Sequence, residues 1–242
     1  MQLYYIRHGQ SENNRLWALT GSWDGRNDDP DLTSLGCEQA EKLAQFLAQP
    51  GTTPASPDGS YDPQNVGGFG ITHLYSSLMV RAVATGTIVA RALGLPLVAW
   101  EDVHEVGGIN SFDVETGERT GLPGKNRRFF EQHFPDLVLP ENLGDGGWWN
   151  RPFEERAQRP ARARRFLDDI LARHGGTDHR VAIISHGGFH AVLLRTLLHI
   201  PDGTPIWFAL ANTGITRVDF EEEGIALSYT NRTDFLPREW IT

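Results

Sequence analysis

The protein contains 242 residues, 39% of them hydrophobic and 22% charged, which is enough chain to bury a substantial core. Its 31 acidic residues outnumber its 22 basic ones and give a formal net charge of −9. That balance argues against nucleic acid as the main partner, because contact with a phosphate backbone depends on surplus Lys and Arg. A small anionic ligand is nevertheless compatible with this negative net charge, since a few arginines can make one cleft locally positive.

The sequence carries no signal for export or membrane insertion. It has no apolar stretch of the ~20 residues that a membrane span needs, and its first residues lack the basic and apolar segments of a secretory signal. The single cysteine, Cys37, cannot form an internal disulfide. We therefore predict a cytoplasmic protein with no membrane partner.

Short β-rich runs alternate with segments of helical periodicity along the first hundred residues. The predicted elements are, in order, a strand at Gln2 to Ile6, a helix at Thr33 to Ala48, a strand at Ile71 to Tyr75, a helix at Val80 to Leu93 and a strand at Leu97 to Trp100. In the first helix Thr33 is the expected N-cap. Four apolar residues share one face of that helix: Ala40, Leu43, Ala44 and Leu47.

The alternation continues in the last third of the chain. One helical face is formed by Ala163, Phe166, Leu167, Ile170 and Leu171. This pattern predicts a helix that ends near His174, while Pro160 leaves its start open. The elements predicted after it are a strand at Arg180 to Ser185, a helix at His190 to His199, and a hairpin of Gly214 to Phe220 and Ile225 to Tyr229.

The order of the elements predicts an α/β fold, a three-layer sandwich in which a mostly parallel sheet is flanked by helices. Residues 1–242 are interpreted as one domain with two insertions, because no second alternation is distinct enough to predict another core. Residues 49–70 are rich in Pro, Gly, Ser and Asp, which predicts an irregular surface loop. Residues 107–150 contain aromatic and basic residues, which predicts a packed lid or specificity loop.

Four polar clusters follow four of the predicted strands. They are Arg7-His8-Gly9, the helix residue Arg81, Glu105, and His186-Gly187-Gly188. The strands of a parallel sheet end at one common edge, where such folds bind ligands and where helices direct free N–H groups. Each residue alone has a commoner structural explanation, such as a salt bridge. Their shared location predicts a phosphate pocket that contains a nucleophile and an acid.

A metal site is the competing interpretation of one cluster. His186 and His190 are four residues apart, a spacing that can place two imidazoles on one helix face. Gly187 stands where a zinc peptidase needs a glutamate, and no third ligand is near in the sequence. We therefore predict no metal here, and interpret His190 as an ordinary helix residue or a substrate contact.

Six motifs occur in order along nearly the whole chain. They are Ile6-Arg-His-Gly-Gln-Ser-Glu-Asn-Asn14, Asp31-Leu-Thr-Ser-Leu-Gly-Cys-Glu-Gln-Ala40, Ser76-Ser-Leu-Met-Val-Arg-Ala82, Glu105-Val-Gly-Gly108, Ser185-His-Gly-Gly188 and Asn212-Thr-Gly-Ile-Thr216. Arg-His-Gly alone would be a weak match. The ordered set resembles the histidine phosphatase superfamily, which includes the cofactor-dependent phosphoglycerate mutases.

The resemblance implies a role for each residue of the pocket. It makes His8 the nucleophile that becomes phosphorylated and Glu105 the proton donor to the leaving group. Residues implied to hold the transferring phosphoryl group are Arg7, Asn14, Arg81, His186 and Gly187. Two guanidiniums offer fixed donor forks for phosphoryl oxygens, and a phosphohistidine divides one hard displacement into two easier ones. No metal and no other cofactor is implied.

The acceptor of the phosphoryl group separates two enzyme classes. Transfer to water makes a phosphatase acting on a small phosphorylated metabolite; a retained phosphoglycerate intermediate makes a mutase. Mutases carry Arg-Arg followed by a proline-rich run in the insertion after the acid, and here only the pair is present. We therefore favour the phosphatase. Candidate specificity residues are Arg127, Arg128, Trp148, Trp149 and Arg151. A non-catalytic phospho-ligand binder ranks third, and homo-oligomerisation is left open.

Overall fold

A seven-stranded sheet lies at the centre of the computed structural model, which describes residues 1–51 and 62–242. Its strands are β1 (Gln2–Arg7), β2 (His73–Ser76), β3 (Leu97–Ala99), β6 (Leu137–Val138), β7 (Arg180–Ser185), β8 (Ile215–Glu221) and β9 (Gly224–Arg232). Two further strands, β4 (Asn110–Phe112) and β5 (Arg119–Gly121), form a separate antiparallel hairpin. The order in the main sheet is β6-β3-β2-β7-β1-β8-β9.

Five adjacent strands of the main sheet run parallel, from β6 to β1. The last two, β8 and β9, are antiparallel and close one side of the sheet as a hairpin. Because the parallel strands share a direction, their carboxyl ends meet at one edge. The predicted mostly parallel sheet is confirmed.

Six α-helices accompany the sheet. They are α1 (Glu12–Thr20), α2 (Ser34–Ala48), α3 (Val80–Leu93), α4 (Arg127–His133), α5 (Arg159–His174) and α6 (Gly187–Leu197). The apolar faces of α2 and α3 pack on one side of the sheet and those of α5 and α6 on the other. In β1 successive side chains alternate between the two cores, with Tyr4 and Ile6 on the α2 side and Leu3 and Tyr5 on the α5 side. This arrangement is the predicted three-layer sandwich.

Helix α1 was not among the predicted elements. Every one of its residues keeps some exposed surface, so it lacks the apolar face that reveals a helix in a sequence. It is fixed at its start instead, where Ser11 and Asn14 form a capping box. A local polar signal therefore sets this helix, and it lies directly after the Arg7-His8-Gly9 motif.

The segment 107–150 divides into two parts. Its first part is the β4–β5 hairpin. Its second part joins the main fold, because Phe130 of α4 is fully buried and β6 pairs with β3 at the edge of the sheet. The other predicted insertion, 49–70, lies partly outside the described residues; in its described part Pro50 and Gly68 form an isolated antiparallel bridge.

Within residues 1–51 and 62–242, every helix is too short or too polar to cross a membrane.

Two predicted boundaries were displaced by three residues. Helix α6 starts at Gly187 rather than at His190, so that His186 is its N-cap. The final strand runs to Arg232, and the hairpin turns at Glu222 and Glu223.

Candidate active site

A cleft of about 600 Å³ opens at the carboxyl-end edge of the parallel strands. Six of the predicted site residues line it: Arg7, His8, Asn14, Arg81, Glu105 and Gly187. The seventh, His186, is fully buried beside it, with its ring 5.1 Å from that of His8. The structure thus brings together residues that the chain separates by almost 180 positions.

His8 follows β1 and is 2% exposed. Its Nδ1 lies 2.6 Å from the carbonyl oxygen of Gly9, which can only accept a hydrogen bond, so the ring proton belongs on Nδ1. Its Nε2 accepts a bond of 3.0 Å from Nε of Arg81. Burial, followed by the charges of Arg81 and Arg7, lowers the pKa of His8 well below its usual value. The ring is therefore neutral at pH 7, and its Nε2 lone pair is engaged by Arg81, which lines the same cleft.

The turn after helix α6 and before β8 holds the main chain of the Arg7-His8 pair in place. Asn212 donates from Nδ2 to the carbonyl oxygen of His8 at 2.9 Å. Thr213 adopts a left-handed conformation with φ of 58° and donates its backbone N–H to the carbonyl oxygen of Arg7 at 3.1 Å. A non-glycine residue in this conformation is uncommon and often marks a functional turn. The Asn-Thr-Gly motif thus fixes the main chain on which the His8 side chain is carried.

Two buried arginines supply positive charge to the cleft. Arg7 donates from Nη1 to the carbonyl oxygen of Leu210 at 2.7 Å, and its buried Nε has no partner among the described residues. Burial lowers the pKa of Arg7 to about 10, so the guanidinium is still charged at pH 7. Burial also lowers the pKa of Arg81, and the neighbouring carboxylate of Asp29 opposes that shift. Both guanidiniums keep donors that suit phosphoryl oxygens.

Asp29 is a site residue that sequence reasoning missed. Its Oδ1 accepts the backbone N–H of Val80 at 3.0 Å and lies 3.8 Å from Nη1 of Arg81. Its Oδ2 is buried and has no partner among the described residues. Burial raises the pKa of Asp29 to about 6, although the Arg81 charge opposes that rise. The anion that anchors Arg81 is therefore lost at mildly acidic pH.

We expect Asp29→Asn to lower kcat/KM about tenfold at pH 7.5, equivalent to about 1.4 kcal/mol. Asn retains the acceptor for Val80 but not the charge that anchors Arg81. Below pH 6 the wild-type carboxylate takes up a proton, so the ratio of wild-type to variant kcat/KM should fall towards one by pH 5. The substrate's own ionisation near pH 6 cancels in that ratio. A ratio that is independent of pH would show that Asp29 does not act through its charge.

His186 is held by the residue after strand β2. Its Nε2 lies 2.9 Å from Oγ of Ser77, while its buried Nδ1 has no partner among the described residues. Burial, then the charge of Arg81, lowers its pKa well below the usual value. A neutral imidazole with one unsatisfied nitrogen beside the His8 ring is suited to contact a ligand there.

The Glu105 carboxylate lies against the first turn of helix α6. Its carboxylate accepts backbone N–H groups from Val106 at 2.8 Å, Phe189 at 3.0 Å and Gly188 at 3.2 Å. The positive end of the helix dipole favours a carboxylate at this position. A carboxylate has about four acceptor positions, so these three bonds leave one for a proton shared with a ligand in the cleft.

The Glu105 carboxylate requires a residue without a side chain at position 188, because a methyl group built at Gly188 would overlap that carboxylate. We expect Gly188→Ala to displace that carboxylate by about 1 Å and to lower kcat by about 10²-fold. Gly144→Ala is the matched control, since a methyl group at Gly144 meets open space. Equal steady-state rates for the two variants would show that the Glu105 position is not critical.

Asn14 has a structural role as well as a place in the cleft. Its Oδ1 accepts hydrogen bonds from the backbone N–H and hydroxyl of Ser11 at 3.1 and 3.0 Å, and from Nδ2 of Asn212 at 3.2 Å. The Nδ2 group is the part of the side chain that can donate to a ligand. Asn14 therefore ties helix α1 to the turn that supports His8.

Further residues line the outer cleft that the sequence did not single out. Three are arginines: Arg26, Arg119 and Arg159. Three are tryptophans: Trp17, Trp23 and Trp207. The Trp17 and Trp23 rings lie 4.6 Å apart, and the Arg26 guanidinium lies 5.3 Å from the Trp23 ring centre. These residues come from α1, the loop after it, the β4–β5 hairpin, α5 and the loop before β8, so no single stretch of sequence signals them.

The five predicted specificity residues lie outside the cleft lining, which corrects that prediction. Trp148 and Trp149 are 4% and 5% exposed and belong to the core under α4. Arg127 donates to the carbonyl oxygens of Leu143 and Pro140. The remaining two are Arg128, which is exposed, and Arg151, which stacks on Trp149 at 4.1 Å. Aromatic and basic residues suit a binding surface or a core, and here they stabilise the segment itself.

His190 is a core residue of α6. It is fully buried, and its Nε2 lies 2.9 Å from Oγ1 of Thr216 on β8. Burial lowers its pKa to about 4. The interpretation of His190 as an ordinary helix residue therefore fits its position.

The sequence profile of the histidine phosphatase superfamily (branch 1) matches residues 3–56 and 63–233. The chain belongs to the histidine phosphatase superfamily. It is therefore an enzyme of the phosphatase or mutase type. The probable phosphoglycerate mutase GpmB of Yersinia enterocolitica is 28% identical over 222 residues, covering 92% of this chain and 86% of that one.

Solved structures of the superfamily share the fold at lower identity. A phosphoserine phosphatase from Entamoeba histolytica, in complex with 3-phosphoglyceric acid, is 23% identical with a TM-score of 0.59, over 98% of this chain and 99% of that chain. A mycobacterial glucosyl-3-phosphoglycerate phosphatase is 19% identical with a TM-score of 0.61, over 96% and 99%. These likenesses establish the fold of the superfamily across the whole chain.

Proposed function

We propose that the protein is a metal-independent phosphomonoester hydrolase that acts through a phosphohistidine on a small phosphorylated metabolite. The observation that carries the proposal is the neutral His8, which lines the cleft with Arg7 and Arg81 and whose Nε2 lone pair accepts a hydrogen bond from Arg81. Phosphoryl transfer is catalysed mainly by positioning and by charge stabilisation of the phosphoryl oxygens. The two arginines provide that charge without a metal ion.

The proposed reaction has two displacements. In the first, the His8 Nε2 lone pair forms a bond to phosphorus while the bond to the ester oxygen breaks, and Glu105, which enters this step protonated, gives that oxygen its proton. In the second, water attacks phosphorus, the phosphorus–nitrogen bond breaks, and Glu105 takes the proton of the water. The sum is one ester and one water converted to one alcohol and one phosphate. Before the first step, the Nε–H of Arg81 must exchange its hydrogen-bond acceptor, His8 Nε2, for a phosphoryl oxygen.

The outer cleft supports a substrate with a second anionic group. Arg26 has a buried Nε with no partner among the described residues, and burial lowers its pKa. Arg159 likewise has a buried unpartnered Nε, and it also lines a cavity of about 750 Å³ that adjoins the cleft. A carboxylate or second phosphate would satisfy these donors, since guanidiniums bind both in a bidentate manner.

The runner-up function is a phosphoglycerate mutase, which the relative named as a probable mutase supports. The arrangement of the 107–150 segment favours the phosphatase. Arg127 of the Arg127-Arg128 pair donates hydrogen bonds to carbonyl oxygens within that segment. It is therefore engaged within the segment rather than in the cleft.

A release assay across a panel of phosphomonoesters tests the proposal. The panel should pair esters that carry a carboxylate, including phosphoserine and 3-phosphoglycerate, with analogues that lack the carboxylate, such as glycerol phosphate. With EDTA present we expect free phosphate and a preference of at least about tenfold for the carboxylated esters. Formation of 2-phosphoglycerate from 3-phosphoglycerate, primed with 2,3-bisphosphoglycerate and with little phosphate released, would instead establish a mutase. Loss of activity in EDTA would contradict metal independence.

A further inference from the structure

A second group of histidines lies at the opposite edge of the sheet from the active site. His73 is the first residue of β2, His174 is the last residue of α5, and His179 immediately precedes β7. One ring nitrogen from each lies within 4.8 Å of the other two. Since β7 spans six residues at about 3.3 Å each, the group is about 20 Å from His186. It takes no part in the proposed reaction.

The three rings form a tight cluster. Nδ1 of His174 lies 2.9 Å from Nδ1 of His179. The His73 ring centre is 4.6 Å from that of His174 and 4.3 Å from that of His179. His174 is 3% exposed, whereas His73 and His179 are half-buried. The group is therefore anchored in the fold on one side and open to solvent on the other.

Neighbouring hydroxyl groups orient two of the rings. Nε2 of His174 lies 3.0 Å from the buried hydroxyl of Tyr75, which can accept its N–H, so that the lone pair is on Nδ1, on the side of His179. Nδ1 of His73 lies 2.9 Å from Oγ1 of Thr72, a hydroxyl that donates to the carbonyl oxygen of Arg180. Nδ1 of His73 then carries the proton and its Nε2 is free. Metal-binding histidines are held in this way, with the second ring nitrogen donating to a neighbouring group.

Two arginines lie next to the group in the sequence, Arg173 beside His174 and Arg180 beside His179. The two nearest arginines are directed elsewhere. Arg173 stacks on Trp100 at 4.1 Å, and Arg180 donates to the carbonyl oxygen of Phe69 at 3.0 Å.

We propose that His73, His174 and His179 bind one divalent transition-metal ion, with Zn²⁺ as the favoured ion and a water molecule in the fourth position. Three imidazoles are a ligand set that suits zinc, copper and nickel, whereas magnesium and calcium prefer oxygen. His179 would need its proton on Nε2, a change of tautomer that its exposed side allows. The ion would join α5 to strands β2 and β7, and so stabilise the fold rather than take part in catalysis.

Titration of the full chain with Zn²⁺ against a chromophoric chelator at pH 7.5 tests the site. We expect one Zn²⁺ per chain, with at least about 100-fold weaker binding in His179→Ala and in His73→Ala. His133→Ala is the matched control, because His133 is exposed on α4 and far from the group in the chain. Tyr75→Phe removes the hydroxyl that orients His174 and should weaken binding about 10- to 100-fold.

Thermal unfolding gives a second readout that does not depend on activity. Zinc at about 100 times its Kd should raise the Tm of the wild type by roughly 5–10 °C, and should leave the Tm of His179→Ala unchanged. EDTA should remove the rise without lowering the rate of phosphate release. Binding that survives in both His73→Ala and His179→Ala, or less than one tight Zn²⁺ per chain, would overturn the proposal. Neither outcome would affect the proposed phosphatase activity.

Discussion

His8→Ala should lower kcat by at least about 10³-fold, equivalent to about 4 kcal/mol of transition-state stabilisation. The side chain supplies the only lone pair that the proposed reaction uses to attack phosphorus. Its Nδ1 bonds to the carbonyl oxygen of the adjacent Gly9, so its removal should leave the surrounding elements in place. Steady-state kinetics with the preferred ester of the panel measures the loss, and circular dichroism checks the fold.

Rapid acid-free quenching with a labelled ester provides the direct test of the nucleophile. Wild-type protein should accumulate an acid-labile phosphoenzyme, and His8→Ala should not. His133→Ala serves as the control, since His133 is exposed on α4. A residual rate in His8→Ala within about tenfold of the wild type would show that another group attacks phosphorus. Tight binding of phosphate by a wild type that forms no phosphoenzyme would favour the non-catalytic binder.

Glu105→Gln should have an effect that depends on the leaving group. For alkyl phosphates, whose leaving oxygen needs a proton, we expect kcat to fall about 10²- to 10⁴-fold. For activated aryl phosphates the fall should be within about tenfold, because the leaving phenolate is stable without a proton. Gln can keep one oxygen for Val106 and Phe189, although its amide would face the N–H of Gly188.

The comparison between the two ester classes contains its own control, because a simple disturbance of the cleft would lower both rates equally. Glu115→Gln, in the exposed turn of the β4–β5 hairpin, should change neither. Equal losses for alkyl and aryl esters in Glu105→Gln would assign that residue a structural role on helix α6 and require a different proton donor.

The inner part of the site was accessible to sequence reasoning because its residues follow strands directly. Arg7, His8 and His186 end β1 or follow β1 and β7, so their meeting at one edge follows from a parallel sheet. Asp29 could not be found in this way. It lies in a loop after α1, and its importance comes from one contact with Arg81, which neither periodicity nor local motif encodes.

Sequence reasoning did not find the residues of the outer cleft, for a different reason. Aromatic and basic residues of the 107–150 segment have the composition of a binding surface, yet Trp148 and Trp149 lie in the core. Two of the three tryptophans that do line the cleft, Trp17 and Trp23, flank the end of a helix with no buried face. Composition indicates that a segment packs, but only the three-dimensional arrangement determines which surface its rings cover. For the same reason the three histidines at the far edge carry no sequence signal.

The hydrogen bond from Arg81 to Nε2 of His8 lowers the reactivity of the His8 lone pair in the resting enzyme. The lone pair that should attack phosphorus is occupied for as long as the cleft holds no competing acceptor. A dianionic phosphoryl group is a much stronger acceptor for a guanidinium than a neutral imidazole is. In the proposed reaction the substrate would therefore release the His8 lone pair by the same contact that binds it, and reaction would be restricted to molecules that carry the group to be transferred.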